Sequence, residues 1–278
     1  MKSTFLRFVE ERHRIWEQRQ LDLPQPWTED PILASRKFTN VFRILDPGTQ
    51  FLLTDLYPGA DDWNRLLRAF LYRHTGQIEA WKAVLAELGE YPTTTNLDTV
   101  HEVWENYRRG NKLLFTSAYM VNPQSHTPGT NKLDSIIALT KRVFHPGFFE
   151  DWCAATTPGR RFELLRSFSY VGDFMSMQIL TDWGYQDPSH DEDEFVQLGP
   201  GAVKGSKALG ESVHWALEHV RELPVYLTLP HGVIRRPSLM DVQNCLCEFS
   251  KYVRLTPSSS YAPAHPGPQS EPLFPNHW

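Results

Sequence analysis

Asn40, Arg43 and Asp46 fall three residues apart in the run Phe38-Thr39-Asn40-Val41-Phe42-Arg43-Ile44-Leu45-Asp46. On a helix they form one polar stripe, with Phe38, Val41, Phe42 and Leu45 free to face a core. Helices seldom carry an amide, a guanidinium and a carboxylate in register beside bulky aromatics without using them, although a solvated face closed by an Arg–Asp pair fits the same pattern. Gln178 and Asp182 lie four apart among Phe174, Met175, Ile179 and Leu180, so they point the same way. A carboxylate on so apolar a face must be paired or hold its proton more tightly, and the second case suits general acid–base catalysis. Asn244, Glu248 and Lys251 make a third stripe, with Arg254 beyond it; by pattern alone this is an exposed ion-pair ladder. Gly199-Pro200-Gly201-Ala202-Val203-Lys204-Gly205 precedes a helix candidate, where glycines and a helix N-terminus admit an anion and Lys204 and Lys207 add charge. It is not a Walker A loop, because Lys204 stands where the second glycine is needed.

The elements that must position these residues are mostly helices. Periodicity and capping signals place them near 3–19, 36–46, 61–72, 77–88, 98–109, 131–144, 160–168, 171–183, 211–222 and 238–255. Pro26 to Leu33 reads as a proline-bracketed turn anchored by Trp27. Ser238-Leu239-Met240-Asp241 opens the last helix as a capping-box variant. The best strand signal is Val225 to Leu229, between Pro224 and Pro230. The fold class is therefore mainly α, a single helical domain over 1–256 with at most a minor β element near 225–229. Residues 257–278, rich in Pro, Ser and His, read as a disordered tail in which a loose end suits Phe274 and Trp278 better than a docked one.

Composition narrows the class. A chain of 278 residues can bury a substantial core, and no apolar stretch is long enough to span a bilayer. Met1 to Phe5 runs into charged sequence, so no signal peptide is expected. Three cysteines, Cys153, Cys245 and Cys247, without zinc or iron–sulfur spacing, fit a reduced intracellular compartment. The expected location is the cytoplasm, that of the host for a viral chain, or the nucleus for a eukaryotic one. A net charge of −5 counts mildly against nucleic acid, yet the cations cluster at Arg12/Arg14/Arg19, Arg108/Arg109/Lys112, Arg160/Arg161, Lys204/Lys207 and Arg235/Arg236. Acidic runs such as Asp191 to Glu194 lower the total without covering those clusters, so a local basic groove remains open.

Several of these segments carry a family resemblance. Arg12-His13-Arg14-Ile15-Trp16-Glu17-Gln18-Arg19, Pro26-Trp27-Thr28-Glu29-Asp30-Pro31-Ile32-Leu33 and the 38–46 run are similar to the start of the alpha-glutamyl/putrescinyl thymine pyrophosphorylases, phage proteins of thymine hypermodification. The related helical domain of 5-hydroxymethyl-deoxyuridine DNA kinases shares the pattern. Gly172 to Asp182, Glu194 to Gly205 and Asp241 to Arg254 resemble later family segments, so the matches run in order from about residue 10 to 255. The kinase half of the family's fusion proteins is absent from this sequence.

The resemblance implies a fold related to the helix–hairpin–helix DNA glycosylases, with 172–205 as the corresponding part. It also implies a transferase that displaces pyrophosphate from pyrophosphorylated 5-hydroxymethyluracil in DNA with an amine, an amino acid or putrescine. In that chemistry Trp27, Phe42 and Tyr119 would line a pocket for the unstacked base, and Asn40 and Gln178 would read its edge. Arg43, Lys204 and the Gly199–Gly201 turn would hold the leaving pyrophosphate. Asp46, Asp182 and Glu248 are alternative bases for the amine; Lys251, Tyr252 and Arg254 join the site through the last family segment. A divalent metal would enter only through the pyrophosphate. A non-catalytic DNA-binding scaffold working with a 5-hydroxymethyluracil kinase, and a glycosylase that excises the modified base, are the alternative readings.

Overall fold

Runs of apolar residues at helical spacing become helices almost throughout. The computed structural model describes residues 1–116, 131–255 and 271–278. Its helices are α1 (Lys2–Gln20), α2 (Pro31–Ser35), α3 (Pro47–Phe51), α4 (Asp62–Thr75), α5 (Ile78–Leu88), α6 (Leu97–Arg109), α7 (Lys132–Val143), α8 (Pro146–Ala154), α9 (Pro158–Arg166), α10 (Asp173–Gly184), α11 (Pro200–Leu209), α12 (Val213–Arg221) and α13 (Leu239–Tyr252). One short hairpin pairs β1 (Leu227–Thr228) with β2 (Ile234–Arg235), antiparallel. The mainly α class and the minor β element near 225–229 are thus what the chain adopts.

Local chemistry fixes the helix starts. Pro31, Pro146, Pro158 and Pro200 occupy first turns, where a missing N–H leaves nothing unsatisfied. Asn131 with Asp134, and Ser238 with Asp241, form complete capping boxes for α7 and α13. The glycines Gly76, Gly89 and Gly210 end α4, α5 and α11 in the left-handed conformation.

The chain divides into two compact units: Met1–Asp46 with Asp191–Trp278, and Pro47–His190. In the first, α1, α11, α12 and α13 are the main helices, and Phe5, Phe8, Phe42 and Phe249 are buried in its core. Here α11 lies along α13 so closely that a Cβ on Gly205 would sit 1.9 Å from the Leu246 carbonyl oxygen, and one on Gly201 would sit 2.3 Å from Cys247 Sγ. In the second, α4 packs against α7 and α10, α5 against α6, and α9 against α10, around Trp81, Trp104, Trp152 and Trp183.

Three sequence expectations change. Residues 36–46 are not a helix: Phe38 to Phe42 is irregular chain, and only Arg43–Leu45 makes a single 3-10 turn. Its apolar residues Phe38, Val41, Phe42, Ile44 and Leu45 are nevertheless all buried. The helix expected from the apolar spacing loses to polar partners that capture the backbone directly. The neighbouring 26–33 turn ends in a real helix, α2, whose N-cap Asp30 accepts from the Ile32 and Leu33 amides. The glycine run at 199–205 is the first half of α11 itself rather than a loop ahead of a helix. Trp278, in the tail, stacks on the Arg235 guanidinium at 3.4 Å instead of hanging loose. The rest of the expected tail, up to residue 270, lies outside the described residues, as does the loop at 122–130.

Candidate functional site

In the first unit the polar residues of α1 and α13 converge on Lys37 to Asp46. From α1, the buried Arg12 guanidinium donates to the carbonyls of Phe38 (3.0 Å) and Thr39 (2.6 Å). Burial draws its pKa down to about 10, opposed by the nearby Glu248 carboxylate. Arg19, about two turns further on, reaches Asn40 Oδ1 at 3.5 Å, and burial lowers its pKa too. From α13, Glu248 Oε2 accepts from the Thr39 amide at 3.2 Å, and Asn244 Nδ2 donates to the Asn40 carbonyl at 3.1 Å. Lys251 donates to the Lys37 carbonyl and stands 3.7 Å from Glu248. The stripe read as an exposed ladder is therefore a clasp that holds the 37–40 backbone, because that irregular chain has carbonyls and amides left unpaired by any helix.

The clasp shapes the Asn40–Asp46 stripe. Asn40 Nδ2 donates to the Leu45 carbonyl at 3.1 Å, closing the loop on itself. Arg43 lies 3.5 Å from Asp46, and its buried side chain sits beside a carboxylate that reaches solvent. The Arg43 amide donates to Asp241 Oδ1 at 2.6 Å. Asp241 is itself a capping residue, bonded through Oδ2 to the Ser238 amide at 2.9 Å. So the N-terminus of α13 sets the position of the 43–46 turn.

A second carboxylate crowds that cap. Glu192 Oε2 accepts from Ser238 Oγ at 2.8 Å, and Oε1 pairs with Arg235 at 2.7 Å. Burial and the Asp241 charge push the Glu192 carboxyl up to about 7, while Arg235 and Ser238 hold it down. Burial likewise raises the Asp241 pKa, against the pull of Arg235 and its backbone donors. Asp193 adds a bond to the Leu239 amide at 2.8 Å. Two residues of the acidic 191–194 run thus clamp the start of α13.

Two further features belong to this unit. Tyr252 donates to Asp30 Oδ2 at 2.6 Å, tying α13 to the cap of α2, and burial and the Asp30 bond raise its pKa. Trp27, half-buried, donates its indole N–H to the Leu23 carbonyl at 2.7 Å. Its ring lines a hollow of about 300 Å³ together with Ile15, Gln25, Thr28, Leu33 and Ala34.

The second unit holds Asp182, fully buried on α10. Its carboxylate is gripped from two sides by Arg73 of α4, with Nη2 at 2.8 Å, and accepts from Thr49 Oγ1 at 2.9 Å. Arg73 also reaches Thr49 Oγ1 at 3.0 Å. This is a buried, charge-compensated cluster, the paired one of the two alternatives that the sequence left open. Gln178, one turn earlier on α10, is buried as well.

The remaining expected residues fall as follows. Gly199 caps α11 without a side-chain bond, and Gly201 lies in its first turn against Cys247. A glycine at 201 lets α11 approach Cys247 closely. Lys204 is exposed on α11, and exposed Arg254 turns back to the Ser250 carbonyl at 3.0 Å. Tyr119 lies outside the described residues. The basic clusters are partly spent: Arg12 and Arg19 are buried, Arg161 pairs with Asp187 at 2.7 Å, and Arg235 with Glu192. Among the described residues no three His, Cys, Asp or Glu side chains are placed to hold a metal ion, and no helix is long and apolar enough to cross a membrane.

Sequence reasoning missed Glu192 and Arg73. Nothing local marks Glu192 within an acidic run, since its burial is tertiary. Arg73 sits two residues before the end of α4, in a cationic stretch that reads as surface.

Comparison with known proteins places these clusters in a lineage. The family described as "5-hmdU DNA kinase, helical domain" matches residues 1–261. A "5-hmdU DNA kinase" of Bacillus phage SP10 is 26% identical over 238 residues, covering 75% of this chain and 36% of the phage protein. The chain thus spans little more than a third of the length of that curated relative. No solved structure matches. The match to the family takes in the clasp, the α13 cap and the Asp182 cluster alike, and the chain belongs to the 5-hmdU DNA kinase helical-domain family.

Proposed function

We propose that this protein is a DNA base hypermodification transferase that replaces the pyrophosphate of pyrophosphorylated 5-hydroxymethyluracil with an amine, an amino acid or a polyamine such as putrescine. Membership of a family named for a 5-hmdU DNA kinase supports a role in thymine hypermodification. The observation that carries the finer reading is the convergence of Asn40, Arg43 and Asp46 with Asn244, Glu248 and Lys251 around one irregular loop.

The chemistry makes three demands. The reacting base must leave the stack, at a cost of a few kcal/mol, into a pocket with an aromatic wall; Trp27 supplies one. Charge building on the departing pyrophosphate needs cations and amides already in place. Arg43, held by Asp241, and exposed Lys204 near the α11 N-terminus are the groups for this. The incoming amine must lose a proton. Asp46 and Glu248 suit that task better than Asp182, because their carboxylates reach solvent whereas that of Asp182 is sealed against Arg73. Asn40, whose amide donates to the Leu45 carbonyl, would hold the loop in shape, with Tyr252 and Arg254 at the margin of the site. A divalent ion would arrive on the pyrophosphate.

The test is to incubate the protein with duplex DNA carrying pyrophosphorylated 5-hydroxymethyluracil and a pool of amines, digest to nucleosides and weigh them. An amine adduct with pyrophosphate released is the expected result. A second reading follows from the name of the matching family, which is that of a domain of a kinase: a DNA-binding module that presents modified bases to a 5-hydroxymethyluracil kinase acting in trans. Unchanged nucleosides with tight DNA binding would favour it, and free base with abasic sites would instead mark a glycosylase.

A further inference from the structure

We propose that the hollow beside Trp27 receives one extrahelical pyrimidine base, and that Arg36 and Lys37 take the phosphates flanking it. The inference rests on the DNA reading above and gives that reading a place in the molecule. Three independent features support it.

The first is shape and lining. The hollow of about 300 Å³ lies at the small end of ligand sites, sufficient for a single ring system. Ile15 and Leu33, both buried, contribute apolar walls, and Trp27 contributes an aromatic one. The indole N–H bond to the Leu23 carbonyl fixes the orientation of the Trp27 ring.

The second is polarity. Gln25 and Thr28 are the polar side chains on this lining. An amide offers a donor and an acceptor together, the pattern of a pyrimidine edge. The Thr28 hydroxyl is already engaged, donating to Glu11 Oε2 at 2.8 Å and accepting from the Asp30 amide at 3.1 Å, so reading falls to Gln25. Glu11 in turn is neutralised by Arg14 at 2.6 Å, which removes a charge that would repel a nucleotide.

The third is cation placement. Ala34 lines the hollow, and Arg36 and Lys37 leave the same short helix two and three residues later. Among the described residues neither side chain has a hydrogen-bond or ion-pair partner, unlike Arg12, Arg161 or Arg235. The Lys37 backbone is anchored by Lys251, so the cation projects from a fixed point. An aromatic wall, an amide at the rim and two unspent cations are together the signature of a nucleotide rather than of a free amine or an apolar ligand.

The test uses the full chain and a short duplex with one 5-hydroxymethyluracil beside a 2-aminopurine, whose fluorescence rises when its neighbour unstacks. Wild type should bind and raise the signal several-fold. Trp27→Ala should bind more weakly and lose most of the rise, and Trp27→Phe should keep most of both. Ala34→Phe, at an exposed position, should fill the hollow and abolish the rise without disturbing the fold. The double variant Arg36→Ala, Lys37→Ala should reduce the slope of log affinity against log salt by about 2. A full rise in both Trp27→Ala and Ala34→Phe would overturn the pocket while leaving DNA modification standing. Absence of binding by wild type would overturn the pocket and the DNA reading together.

Discussion

The two units bury charge in opposite ways. In the second, Asp182, Arg73 and Thr49 bond one another in the core, and neither charged side chain reaches water. In the first, Arg12 and Arg19 are buried but donate to loop atoms, and Glu248, the carboxylate that acts on Arg12, stays partly exposed. A sealed ion pair maintains a core, and breaking it leaves an uncompensated charge. A clasp built on irregular backbone holds a loop in place while leaving carboxylates within reach of a substrate. The difference separates residues whose loss should unfold the protein from those whose loss should silence it.

That separation can be broken by experiment. The largest expected effect is on turnover. Asp46→Asn and Glu248→Gln should each lower amine transfer, the true base by about 10²–10⁴-fold, with DNA affinity nearly unchanged. Next comes stability in the second unit. Asp182→Asn should destabilise the chain by about 3–5 kcal/mol in urea unfolding, because it removes one charge of a buried ion pair. If Asp182→Asn instead unfolds normally and only loses activity, the sealed cluster is catalytic and the contrast fails.

A smaller effect is expected where α11 meets α13. Gly205→Ala should cost about 1–3 kcal/mol, since the new Cβ meets backbone that cannot turn aside. Gly201→Ala should cost less, as Cys247 can rotate away.

The smallest concerns pH. Burial lowers His13 and His74 to about 4 from 6.5, so the folded state resists protonation; their contribution is intact above pH 6.5 and is lost as pH falls from 6.5 through 4. Glu192 runs the other way: its folded pKa is raised to about 7 from 4.5, so its contribution is present below pH 4.5 and is lost as pH rises through 7. Glu192→Gln should therefore flatten the decline between pH 5 and 7.5 and leave the acid-side loss, read from urea midpoints. A decline unchanged in that variant would place the titrating group elsewhere.

Sequence made the frame legible and left its junctions hidden. The long helices α1, α4, α6 and α13 follow from periodicity and caps, and the short strand from its bracketing prolines. The 36–46 run shows why spacing misleads. Its apolar residues are all buried, as a helix would bury them, but Asp241, Glu248 and Arg12 capture its backbone and irregular chain wins. No local signal reveals that contest, because the partners lie about 200 residues away for α13. Gly201 and Gly205 mislead similarly: their spacing suits an anion loop and a helix contact equally, and only the neighbouring helix decides. Of the candidate site, the α13 stripe and the 38–46 stripe were visible separately; that one grips the other was not.

The most direct test of the account is pyrophosphate release from DNA carrying pyrophosphorylated 5-hydroxymethyluracil, measured in a single turnover with amine present for wild type, Asp46→Asn and Glu248→Gln. The account predicts release and adduct formation by wild type, and loss of both in at least one variant that still binds the DNA. Equal release by all three proteins, or none by a wild type that binds the DNA tightly, would contradict it.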